Sequence, residues 1–167
     1  NAETPVEHMI IDPESYEMFT DITLATANAC MVAFFREVAQ SAYDLALAYS
    51  KERVQWGKRL CYHLTVQKKL FDMFSKVELA RAFSRAALQF NLSTTPPKTE
   101  YSIASKVFAT PSAFEVANDA MQIFGGNGLS KEYPIEKIFR DARASMIEDG
   151  SNDILALAAA GLILREE

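Results

Sequence analysis

The sequence is short of glycine, histidine and cysteine, and it has no excess of basic charge. Its 167 residues include six glycines, none before Gly57. Glycine and proline punctuate chains, so the long gaps between them predict long helices. The two histidines, His8 and His63, are too few for a bundle di-iron site, which needs Glu-x-x-His pairs on facing helices. A Ser-His-Asp or Cys-His arrangement would have to use His63, and no nucleophile is placed beside it. A metal site is therefore not expected. Cys30 and Cys61 form no CxxC pair, so two free thiols in a reducing cytoplasm are expected. Seventeen basic against twenty-two acidic side chains give a net charge of −5, which argues against a nucleic-acid partner. The longest low-polarity run, Leu24 to Phe35, contains Thr26 and Asn28. It falls short of the roughly twenty residues a membrane span needs, so no membrane insertion is expected. Apolar residues at 49% and charged residues at 23% make a globular balance. The opening Asn1-Ala2, without a Met, reads as the remnant of a cleaved tag, and residues 1–13 as tag and leader.

Helical spacing fills the gaps. Val32, Phe35, Ala39, Ala42, Ala46 and Tyr49 recur at three- and four-residue steps, with Glu37, Gln40, Asp44 and Lys51 on the opposite side. Val66, Leu70, Met73, Val77, Ala80, Ser84 and Ala87 repeat the pattern, as do Ile103, Val107, Thr110, Phe114, Ala117, Met121 and Phe124. Helix one is expected over about Glu14–Lys51, a loop over Trp56–His63, helix two over about Leu64–Leu92 and helix three from near Lys98 to Gly125. Extended backbone at Thr94-Thr95-Pro96-Pro97 separates helices two and three. Gly125 suits the residue after a helix C-terminus, and Pro111 inside helix three predicts a kink. A short helix beginning at Pro134 ends near Arg143. A last one covers about Ser151–Arg165, with Ile154, Leu157, Gly161 and Leu164 on one face. The fold class is all-α, an antiparallel four-helix bundle with additional short C-terminal helices.

Three clusters could carry chemistry. Gly125-Gly126-Asn127-Gly128 reads as a helix end running into a tight turn, or as a place where bare N–H groups approach a ligand. In Glu52-Arg53-Val54-Gln55-Trp56-Gly57-Lys58 the single Trp stands in a cationic cluster after a helix. The cations complement the helix dipole while Trp56 fills the core edge, or they bind a planar cofactor bearing phosphate. Ahead of the last helix, in Glu148-Asp149-Gly150-Ser151, Asp149 or Ser151 caps backbone N–H groups, or a desolvated carboxylate acts as a general base.

In order, Arg53-Val54-Gln55-Trp56-Gly57-Lys58, Gln122-Ile123-Phe124-Gly125-Gly126-Asn127-Gly128, Glu132-Tyr133-Pro134-Ile135-Glu136-Lys137, Arg140-Asp141-Ala142-Arg143 and Asp149-Gly150-Ser151 resemble the C-terminal domain of the acyl-CoA dehydrogenase family. The likeness runs from about Asp21 to the end of the chain and is most specific from Gln122 to Arg143. The resemblance implies that residues 14–167 are that domain, without the family's N-terminal and middle domains, and that the chain alone is inactive. It implies FAD as cofactor, an acyl-CoA substrate, an electron-transfer flavoprotein or similar acceptor, and a homodimer or tetramer with FAD across the subunit boundary. Localisation would be cytoplasmic, or the mitochondrial matrix in a eukaryote. By the same resemblance Arg53, Gln55 and Trp56 reach the partner subunit's FAD, and Gln122 and Gly126 approach that cofactor. Leu60 and His63 match positions near it, and Ser151 contacts the flavin of its own subunit.

The family's reaction is α,β-dehydrogenation of the thioester, with a carboxylate as base. That carboxylate is usually Glu directly before the Gly; here it is Asp149, one methylene shorter. Some branches put the base on the first helix of the domain, but that position falls at Ala27, which cannot serve. Asp149 is therefore the catalytic candidate, with Glu148 behind it. The shortened base suggests a cyclic or branched acyl group. It also admits a nitroalkane-oxidase-like flavoenzyme with an Asp base, while a non-catalytic bundle used for oligomerisation is a third reading. The sequence departs from the family at Ala25 and Asn28, Glu37, Leu64 and Pro111.

Overall fold

A computed structural model describes residues 5–165. Five α-helices account for most of it: α1 (Tyr16–Glu52), α2 (Leu64–Ser93), α3 (Thr99–Phe124), α4 (Ile135–Ala144) and α5 (Asn152–Ile163). The expected helix bounds hold to within about two residues at each end. Residues 1–4, including the expected tag remnant Asn1-Ala2, lie outside the described residues.

The spacing read from the sequence marks the buried faces. On α1, Val32, Phe35, Ala39, Ala42 and Ala46 are buried. They meet Met73 and Val77 of α2 and Ala113, Val116, Ala117 and Ala120 of α3 in one core. So many alanines bring helix axes close together, and burial of the larger side chains among them supplies about 1.5–3 kcal/mol each. Helix α3 is the hub, in contact with α1, α2, α4 and α5. It runs unbroken through Pro111, although the Val107 carbonyl loses its N–H donor there. On either side, the Thr110 hydroxyl donates to Lys106 O and the Ser112 hydroxyl to Phe108 O. One stretch of α1 is apolar and long enough to cross a membrane by composition; its stripe from Ala25 to Ala46 is buried inside this protein.

Two expectations need correction. The Trp56–His63 stretch is not an irregular loop: β1 (Val54–Gln55) and β2 (Lys58–Arg59) pair antiparallel, with Gln55 opposite Lys58. Trp56 and Gly57 both have positive φ, 53° and 75°, the conformation a two-residue hairpin turn demands. On α5, the residues buried against α3 are Leu155 and Ala159, whereas Ile154, Leu157 and Leu164 are exposed. Because α5 is apolar on nearly every side, sequence periodicity could not choose between neighbouring stripes.

Candidate functional site: a cleft and a turn

The predicted residues gather in two places. At the C-terminal ends of α1 and α3, a cleft of about 500 Å³ is lined by Tyr49, Arg53, Gln55, Trp56, Leu60, Ile123, Phe124, Gly125, Gly126 and Asn127. Five of the eight predicted cofactor positions, Arg53, Gln55, Trp56, Leu60 and Gly126, therefore line one concavity. Gln122 opens on the neighbouring groove with Leu60, Val66, Lys69 and Ile123. His63 does not line the cleft. Its Nε2 lies 3.1 Å from Gln55 O, so it ties the hairpin to the start of α2.

The cleft is shaped by residues the sequence reading passed over. The Tyr49 ring stacks on Phe124 at 4.1 Å, and Tyr133 meets Phe124 edge-on at 5.5 Å. Asn127 Nδ2 donates to the Tyr49 hydroxyl at 3.0 Å and approaches the Tyr133 hydroxyl at 3.3 Å. The glycine loop is thereby stapled across the end of α1. The backbone N–H of Arg53 donates to Tyr49 O and that of Leu60 to Arg53 O, which fixes the hairpin at the rim.

The glycines divide by cause. Gly125 has φ 60° and ψ −138°, a region open essentially to glycine alone; it ends α3 as expected. At Gly128 an added Cβ would lie 2.7 Å from Met121 O. At Gly126 φ is not positive and an added Cβ meets nothing within 4 Å, so the chain itself does not require glycine there. Trp56 is 93% exposed at the hairpin tip, so it does not fill the core edge. No ion pair or side-chain hydrogen bond engages the Arg53 guanidinium among the described residues.

The second place is the turn before α5. Asp149 is exposed and has φ 52°, followed by Gly150 at φ 93°. Ser151 occupies the N-cap position of α5, but no side-chain hydrogen bond caps that helix, so capping does not hold the turn. Lys106 does. It is fully buried on α3, and its Nζ donates to Glu148 O at 3.1 Å, Gly150 O at 2.8 Å and Asn152 Oδ1 at 3.0 Å. Asn152 Nδ2 in turn donates to the Thr110 hydroxyl at 2.9 Å. Burial pushes the Lys106 ammonium below the usual lysine range, and the Asp149 and Glu148 carboxylates oppose that shift. The sequence did carry a signal for it: Lys106 is the one charge in a series with Ile103, Thr110, Ala113, Ala117 and Ala120, which recurs at three- and four-residue steps along α3.

The two places are far apart. Lys106 and Phe124 are eighteen residues apart on one helix, which at 1.5 Å per residue is about 27 Å. The Asp149 turn and the Trp56 cleft of one chain therefore do not face each other.

The family description "Acyl-CoA dehydrogenase, C-terminal domain" matches residues 22–163. Cyclohexane-1-carbonyl-CoA dehydrogenase of Geobacter metallireducens is 37% identical over 130 residues, 77% of this chain and 34% of its own length. Butyryl-CoA dehydrogenase of Megasphaera elsdenii superposes with a TM-score of 0.88 at 33% identity, covering 97% of this chain and 42% of that one. A chain in the structure of the electron transferring flavoprotein of Acidaminococcus fermentans superposes with a TM-score of 0.81 at 33% identity over 86% of this chain and 38% of its own length. The chain belongs to the acyl-CoA dehydrogenase family, in which it matches the C-terminal helical domain. It spans 34–42% of the length of these relatives.

Proposed function

We propose that this chain supplies the C-terminal domain of an FAD-dependent acyl-CoA dehydrogenase, with its cleft serving one active centre and its Asp149 turn serving another. The observation that carries this reading is the cleft: Arg53, Gln55, Trp56 and Gly126 line one concavity, and Gly126 faces open space. Those residues fit the cofactor. A guanidinium without a partner suits the pyrophosphate, an exposed indole gives an aromatic ring a surface to pack on, and a residue without a side chain lets a ligand reach the backbone. Gln122 adds a polar edge. Ser151 belongs to the other end and would approach the flavin held within its own subunit. The rise of ~27 Å along α3 from Lys106, which holds the turn, to Phe124, which lines the cleft, supports a centre built from two copies. Exposed Phe34, Phe71 and Leu79 on α1 and α2 offer apolar surface for a homodimer or tetramer.

Bound FAD would supply the acceptor for the hydride that leaves the β-carbon of the acyl-CoA. The Asp149 carboxylate takes the α-proton as that hydride departs, leaving a 2-enoyl thioester. In this chain the carboxylate is exposed, so the rest of the protein has to cover the turn and remove water before it can work as a strong base. Glu148, exposed like Asp149, stands beside it as the weaker candidate. An aspartate withdraws the carboxylate by about 1 Å relative to glutamate, a displacement large enough to change rates ~100-fold with a mismatched substrate. The shorter reach leaves room at the α-carbon, in keeping with an alicyclic or branched acyl group. An electron-transferring flavoprotein is the proposed acceptor of the electrons.

The test is the full-length protein. Purification should yield flavin absorbance and a dimer or larger species by size-exclusion chromatography, and turnover of a cyclic or branched acyl-CoA with a dye acceptor. Nitroalkane oxidation without acyl-CoA turnover would move the reading to that branch, and a colourless protein would make the bundle a scaffold.

A further inference from the structure

We infer that Lys106 is a positioning residue that fixes the peptides bracketing the candidate base Asp149; this inference rests on the proposed function above. Two consecutive left-handed residues at positions 149 and 150 are costly for any side chain other than glycine, and such backbone persists only where its surroundings over-determine it. The surroundings here are one buried ammonium. Its three N–H donors are all committed: one to the carbonyl just before Asp149, one to the carbonyl just after Gly150, and one to Asn152 at the start of α5.

The rest of the turn converges on the same anchor. The Asn152 N–H donates to Met146 O and the Glu148 N–H to Ala144 O. An added Cβ at Gly150 would meet Leu155 at 3.0 Å, so the turn is pressed against α5 as well. The facing groups are accounted for: Thr110 and Asn152 from α3 and α5, and the Glu148 and Asp149 carboxylates from the turn, the two charges that act on Lys106. A neutral side chain of similar length fills the volume of Lys106 but has nothing to hold the two carbonyls. The carboxylate would then sample orientations that miss the α-carbon.

The experiment uses Lys106→Met in the full-length protein. It is expected to keep its flavin and to hold KM within about threefold, while kcat falls roughly 100-fold, the cost of a misplacement near 1 Å. Hydrogen exchange followed by mass spectrometry is expected to show faster exchange in residues 147–152, with α3 still protected. In an Asp149→Asn background, Lys106→Met should lower the reductive rate no further, because its effect passes through Asp149. Wild-type kcat with unchanged exchange in 147–152, or an equal additional loss in that background, overturns the inference. If Lys106→Met does not fold, Asn152→Ala removes a single acceptor and should lower kcat by about tenfold at constant KM, again only when Asp149 is present; a loss that persists without Asp149 overturns it. Wild-type turnover by Asp149→Asn alone would instead remove the base assignment, while the exchange measurement still reports whether Lys106 holds the turn.

Discussion

The cleft at Trp56 and the turn at Asp149 hold exposed functional groups by opposite means. The cleft is shaped by neutral side chains: stacked Tyr49 and Phe124, Tyr133 on edge, and the Asn127 amide bridging two phenols. The turn is shaped by a single buried cation gripping backbone carbonyls. A neutral aromatic network can lose one member and keep most of its packing. An ammonium is harder to replace, because both carbonyls it satisfies would lose their donor at once. The first design tolerates a changing ligand surface, whereas the second fixes one atom group in place.

The largest effect that sharpens this contrast is at the turn. Asp149→Asn in the full-length enzyme should lower turnover by roughly 10²–10⁴-fold, the usual contribution of a positioned general base, with flavin content unchanged by absorbance. Next come two glycines of the loop that follows α3. Gly128→Ala drives a Cβ onto Met121 O and should cost about 1–3 kcal/mol, read as a thermal midpoint lowered by about 2–4 °C per kcal/mol. Gly126→Ala has open space around it and should stay within about 0.5 kcal/mol of wild type, yet lose flavin on dialysis. Equal destabilisation by the two would break the distinction between a glycine required by the fold and one required by a ligand.

Much of this was legible beforehand, for physical reasons. Helices α1 to α3 announce themselves because each buries one stripe of a long cylinder, and burial leaves a three- and four-residue beat. Arg53, Gln55, Trp56 and Gly126 stood out by motif, and the fold brings them together. Lys106 was missed because a single cation inside a helix looks like surface until its stripe is followed residue by residue. The Tyr49–Asn127–Tyr133 linkage joins residues 78 and 6 positions apart, and no local pattern encodes a meeting of that kind. The hairpin was missed because its turn starts with Trp56 in place of the Asn, Asp or Gly that usually signals one.

That substitution sets up a smaller effect. Trp56→Gly removes a side chain from a left-handed position and should stabilise the chain by about 1 kcal/mol, seen in chemical denaturation, while weakening flavin retention. A loss of stability would mean that the indole packs on the protein after all. The smallest effect lies on α4, between the two regions. Glu136 is held below the usual carboxylate range by its hydrogen bonds and attraction to Arg140. A depressed carboxylate adds stability above its unfolded pKa and loses it as pH falls through the lowered folded value. Glu136→Gln should therefore unfold slightly more easily than wild type at neutral pH and match it in strong acid, with the gap closing in high salt.

Helix α3 acts as a ruler between the two regions, with Lys106 at one mark and Phe124 at the other. Inserting or deleting one residue between them would change their separation by about 1.5 Å and rotate one against the other by about 100°. Either the glycine corner or the acidic turn would then swing off its bearing. Side-chain chemistry along this rod is free to change without altering that spacing, and residues added to the linker at 94–98 would alter no angle between the two marks.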